Sequence, residues 1–129
     1  MRAIDTNVVV RFLAGDEPAQ AERARSLIAA GDIFIATTVL LESEWVLRSA
    51  YGFPSARIAQ ALRGLAGLAG VTLEDPALAA RALDWAERGL DFADALHLAR
   101  AQGCSAFMSF DRKLAKAAGK LADVEVVEP

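Results

Sequence analysis

Short apolar runs alternate with longer stretches of helical pattern along the chain, and glycines, prolines and acids mark most of the joints. Ala3–Ile4 is a strand candidate that ends at Asp5, and residues 6–14 have helical character until Gly15-Asp16 stops them. Pro18 suits the first turn of a second helix running to about Ala30, with Gly31 as its terminator. Ile33–Ile35 is a second strand, followed by a helix capped by Thr37 or Thr38 that ends near Ala50. Pro54-Ser55 opens another helix, which closes in the glycine region 64–70, and Val71–Leu73 is a third strand. Pro76 opens a helix closed by Gly89, and Asp91 caps one ending at Gly103. A fourth strand over Ala106–Phe110, a helix from Arg112 to about Ala118 and a last strand candidate at Val124–Val127 complete the chain. Short apolar strands separated by helices predict a mostly parallel central sheet with helices on both faces. The expected architecture is one three-layer α/β/α domain over residues 1–129.

Four acids break this pattern. Asp5 ends the first apolar run, Glu42 interrupts Thr38–Leu41, Asp94 sits within Phe92–Leu96, and Asp111 ends Ala106–Phe110. An unpaired buried carboxylate is expensive, so a set at core-like positions is expected to converge on cations. Each also has a plainer reading. Asp5 and Asp111 precede helices and suit N-caps, although both also follow strands, where open parallel sheets gather ligands. Asp91 and Asp94 fit a capping box, yet Asp94 continues into the apolar Ala95-Leu96 and is the better ligand candidate, with Asp91 to assist. Glu44 has Arg48 at i+4 and reads as a surface ion pair. Glu42 has Val39 at i−3, Trp45 at i+3 and Val46 at i+4, and reads as the inward acid. Asn7 and Ser109, each two positions from a carboxylate, suit the support of a ligand or of its water. His97 reads as a residue that supports a ligand or packs rather than as a ligand itself, and the two tryptophans read as core or interface residues.

Composition narrows the chemistry. A chain of 129 residues suits one domain with its own core. The hydrophobic fraction of 54% and mean hydropathy of +0.28 leave apolar surface for a second subunit or a partner. Cys104 and His97 are the sole residues of their kinds, which excludes a disulfide and disfavours zinc. No apolar stretch approaches the roughly 20 residues that span a bilayer, and the early Asp5 argues against a signal peptide. The expected setting is therefore the cytoplasm, away from membranes. The net charge of −3 excludes a general polyanion coat, but Arg112, Lys116 and Lys120, at i, i+4 and i+8, can offer cations to RNA phosphates on one helix face. Lys113 lies beside them, and Arg11 and Arg48 are further candidates.

Ala3-Ile4-Asp5-Thr6-Asn7, Val39-Leu40-Leu41-Glu42, Asp91-Phe92-Ala93-Asp94-Ala95-Leu96-His97 and Ser109-Phe110-Asp111-Arg112 stand in an order that resembles PIN-domain ribonucleases, and among these the VapC toxins of toxin–antitoxin pairs. The resemblance covers almost the whole chain. It implies a metal site formed by Asp5, Glu42, Asp94 and Asp111 with Asp91 as an additional acid, and Ser109 in support. It further implies Mg²⁺ or Mn²⁺ as cofactor, hydrolysis of RNA phosphodiesters, a small antitoxin partner and a homodimer. Carboxylate and water oxygens suit those two ions. Three other readings compete: a PIN nuclease of RNA processing outside a toxin pair, a PIN fold that only binds partners, and a receiver-type signalling module. The last needs an acceptor Asp after its middle strand, and Glu74-Asp75-Pro76 after Val71–Leu73 is a poor match.

Overall fold

Three short strands, β1 (Arg2–Ala3), β2 (Ile33–Ile35) and β3 (Val71–Leu73), pair in parallel in the order β1-β2-β3. Arg2 stands opposite Ile33, and Phe34 opposite Thr72. The computed structural model to which they belong describes Met1–Pro129 and divides into two compact units, Met1–Pro76 and Ala77–Pro129. In the first unit, α1 (Thr6–Ala14) packs on α2 (Pro18–Ala29) and α3 (Thr37–Ser49), and α3 packs on α4 (Ser55–Ala66). Ile33 and Ile35 on β2 are fully buried, as the middle strand of a parallel ladder requires.

Glycine makes this ladder possible. Gly31 and Gly70 lead into β2 and β3 with φ of 80° and 82°, and a Cβ on Gly70 would lie 2.7 Å from the Gly31 Cα. That approach lets the Ile33 N–H donate to the Gly70 carbonyl at 2.8 Å. Alanine at position 70 would meet both a clash and a left-handed backbone.

The second unit holds α5 (Pro76–Glu87, which starts at the boundary), α6 (Phe92–Arg100), β4 (Phe107–Met108), α7 (Arg112–Ala118) and β5 (Val126–Val127). β4 and β5 form a second parallel ladder, with Phe107 opposite Val126. Phe92, Ala95, Leu96, Leu98 and Ala99 make one buried face of α6. Leu114 and Ala118 do the same for α7.

The α/β class and the parallel pairing are as expected, and helix limits fall within a few residues of the predicted ones. Several details differ: β1 covers Arg2–Ala3 rather than Ala3–Ile4, and β5 covers Val126–Val127 rather than Val124–Val127. The strands form two ladders rather than one. The fourth strand is limited to Phe107–Met108, because its partner β5 offers only two residues. Neither Thr37 nor Thr38 caps α3: Ala36 occupies the N-cap, and the Thr37 N–H donates to Glu74 Oε1 at 2.9 Å. Glu74 follows β3 and its own N–H donates to Ile35, so the ladder delivers a carboxylate to the positive end of α3.

Candidate metal centre

Asp5 leaves β1 and immediately becomes the N-cap of α1, with Oδ1 accepting the Thr6 N–H at 2.8 Å. The bond occupies one carboxylate oxygen, so capping and ligation are compatible uses of this residue. Its side chain is exposed, as is that of Asn7. Asn7 helps to line a cavity of about 570 Å³ with Val8, Arg11, Gln20 and Arg23. Arg11 is committed there, donating to Gln20 Oε1 at 2.7 Å and to the Tyr51 hydroxyl at 2.9 Å, with Asp16 at 3.5 Å. Tyr51 in turn donates to Asp16 at 2.8 Å.

The expectation about α3 is corrected. Glu42 is exposed, whereas Glu44 is buried at 7% exposure. The buried stripe runs Leu40, Ser43, Glu44, Leu47. Two apolar stripes compete on this helix, and packing chose the one carrying Leu40 and Leu47 rather than the one carrying Val39 and Trp45. Trp45 is consequently 57% exposed and not a core residue, while Trp85 is buried. Glu44 tolerates burial because Arg48 grips both its oxygens, Nε at 2.9 Å and Nη2 at 3.3 Å. The expected i,i+4 ion pair is thus present, on the inner side of the helix, and it occupies Arg48. Glu42 is left as the solvent-facing carboxylate of α3.

Three further candidate acids gather in the second unit. Asp91 is the N-cap of α6 and its Oδ1 accepts the Asp94 N–H at 3.1 Å. Asp111 is the N-cap of α7 and its Oδ1 accepts from Lys113 and Leu114 at 3.0 and 3.1 Å. Ser109 Oγ accepts the Asp111 N–H at 3.0 Å, so the serine holds the turn that presents Asp111. Asp94 is partly buried in the first turn of α6. Its carboxyl titrates above the ordinary range, first because burial disfavours the charge, then because Asp91 and Asp111 repel it, with His97 opposing. His97 is exposed and acts here through its charge.

The idea that these acids are buried charges does not hold: Asp5, Glu42, Asp91 and Asp111 are exposed, and Asp94 is intermediate. Within neither unit does a group of three or more Asp, Glu, His or Cys side chains form a ready-made ion site. The donor chemistry nonetheless suits a hard divalent cation. All candidate ligands are carboxylate oxygens, and a cation would neutralise the repulsion from Asp91 and Asp111 that adds to burial in raising Asp94. The pattern reading missed Glu74, whose capping bond comes from 37 positions away, and no local signal marks it.

Of the candidate cations, Arg112 is 87% exposed and leans toward Glu128, with 4.0 Å between Nε and Oε2. Lys116 and Lys120 instead share a hollow with Arg88 and Lys113. No helix is long and apolar enough to cross a membrane.

Comparison with known families gives a match to the PIN domain over residues 3–120. The match takes in residues of both units. Such domains are generally nucleases that use divalent metal ions and act on nucleic acids. Neither the curated proteins nor the solved structures give a match.

Proposed function

Because the chain belongs to the PIN-domain family, we propose that it is a Mg²⁺- or Mn²⁺-dependent endoribonuclease and the toxin of a toxin–antitoxin pair, acting in the cytoplasm. The observation that carries this reading is the family match over residues 3–120, with the four acids standing in their order along that stretch. A single nuclease domain is proposed on the same ground.

In this reading Asp5, Glu42, Asp94 and Asp111 hold the metal, and Asp91 assists. Bound Mg²⁺ or Mn²⁺ supplies Lewis acidity, polarising a phosphoryl oxygen and lowering the pKa of water at the scissile phosphate. The protein's own part is to hold its carboxylates still. Asp5 and Asp111 are fixed by the N–H groups they cap, and Ser109 fixes the backbone of Asp111. Asp91 is held by the Asp94 N–H.

Lys116 and Lys120 contribute phosphate contacts, whereas Arg112 leans toward Glu128. The exposed Trp45 on α3 and Phe110 beside Asp111 are apolar surface suited to the antitoxin and to a second copy of the chain. Expression of the wild-type chain without its antitoxin should arrest growth, and Asp5→Asn should relieve the arrest. Full toxicity of Asp5→Asn, at equal protein level, would overturn the mechanism.

A further inference from the structure

The turn after α5, α7 and the turn that follows α7 line a hollow of about 350 Å³ with Arg88, Lys113, Lys116 and Lys120, and Ala117 and Leu121 are its apolar walls. Four cations therefore face one concavity in a chain whose net charge is −3. Only Arg88 has a carboxylate at ion-pair distance, Asp84 at 3.6 Å, where both side chains are exposed. Among the described residues, no ion pair engages Lys113, Lys116 or Lys120. Like charges held together without partners repel one another, and low-dielectric walls strengthen their pull on an anion.

The spacing indicates which anion. Lys113 and Lys116 stand one turn apart on α7, and Lys120 follows in the turn after its C-cap Gly119, so three ammonium groups are spread along one hollow. Charges spread in this way suit the successive phosphates of one strand better than a single phosphate. Lysines are point charges without the fork geometry that selects a planar partner. They suit a backbone gripped regardless of base. Asp111 caps the same helix that carries Lys113 and Lys116, so a strand entering at Asp111 has the hollow along its path.

We propose that this hollow is a phosphate-backbone site, made of residues other than the proposed metal ligands, that grips the RNA strand. The choice of RNA rests on the nuclease reading above; the choice of residues does not. Its membership differs from the i, i+4, i+8 expectation: Lys113 and Arg88 enter, and Arg112 leaves toward Glu128.

The test is fluorescence anisotropy of the full-length protein with a labelled single-stranded RNA, in chelator so that the strand stays intact, across a series of salt concentrations. Lys113→Gln/Lys116→Gln/Lys120→Gln is compared with Arg2→Gln/Arg25→Gln/Arg81→Gln, which removes the same charge at other exposed positions. With three phosphate-binding lysines neutralised, the slope of log K against log salt should become shallower by about 2, at about 0.7 per neutralised phosphate for single strands. The control triple should keep the wild-type slope. Inorganic phosphate should compete no better than chloride at equal ionic strength. An unchanged slope in the lysine triple overturns the site even if the wild type cleaves RNA with added metal. A shallower slope with no cleavage by the wild type upholds the site and overturns the nuclease reading instead.

Discussion

Glu42 and Glu44 lie two residues apart on α3, and their replacement should separate catalysis from stability. Glu44 is buried and bonded through both oxygens to Arg48. An exposed i,i+4 pair is worth about 0.3–0.5 kcal/mol, but hydrogen bonds to a charged group are worth about 1.5–3. The Arg48 side chain is 42% exposed and that of Glu44 only 9%, so the cost of Glu44→Ala falls between these limits, at about 2 kcal/mol. For a chain of this length that lowers Tm by roughly 6–10 °C. Glu42 is exposed, so Glu42→Gln should change stability by no more than about 0.5 kcal/mol. Its effect on cleavage should be far larger. Residues that merely support a metal ligand cost about 10–100-fold when replaced, and a ligand should exceed that range. Thermal unfolding and metal-dependent cleavage of one labelled RNA, measured on both variants below their Tm, decide the matter. Full cleavage by Glu42→Gln, or loss of cleavage by Glu44→Ala with unchanged Tm, would refute the assignment of the two residues.

Asp94→Asn should raise the Tm of the chelated protein at neutral pH. The folded carboxyl titrates above its ordinary range, so the folded state holds more protons than the unfolded one. The penalty is absent below the ordinary carboxylate range and grows as pH rises through the raised value; thermal scans at several pH values should show the gain shrink toward zero in acid. Asp111→Asn keeps a good N-cap and should abolish cleavage at nearly wild-type stability. Asp111→Ala also loses two capping bonds and should unfold about 1 kcal/mol sooner in urea. Gly70→Ala should cost at least about 2 kcal/mol by the same assay, from the left-handed backbone and the close approach to Gly31.

Much of the architecture was legible because punctuation marks it. Gly15, Pro18, Gly31 and Pro76 bound their helices, and Ile33–Ile35 appears as a strand with the limits expected. The carboxylates were legible as a set, since acids amid Ala3–Ile4, Leu40–Leu41 and Ala93–Ala95 need an explanation. Their surroundings were not. On α3, Val39–Trp45 and Leu40–Leu47 are both apolar stripes, and only packing decides which faces inward. The same ambiguity put Arg112 rather than Lys113 among the basic residues of the hollow, and Arg88 reaches it from the turn after α5. The Glu74 cap on α3 depends on β2 and β3 lying side by side, which local pattern does not encode. Capping and ligation are alternatives on the sequence for Asp5 and Asp111, but one oxygen serves each cap, which leaves the other free for the proposed ligation.

The most direct test of the nuclease reading is cleavage of a labelled structured RNA by purified protein stripped with chelator, then given Mg²⁺, Mn²⁺ or Ca²⁺ in turn. Cleavage should be absent after stripping and return with Mg²⁺ or Mn²⁺, and Asp5→Asn should remain inactive with either ion. Cleavage that persists in chelator, or that Asp5→Asn retains in full, would contradict a carboxylate-held metal as the source of activity.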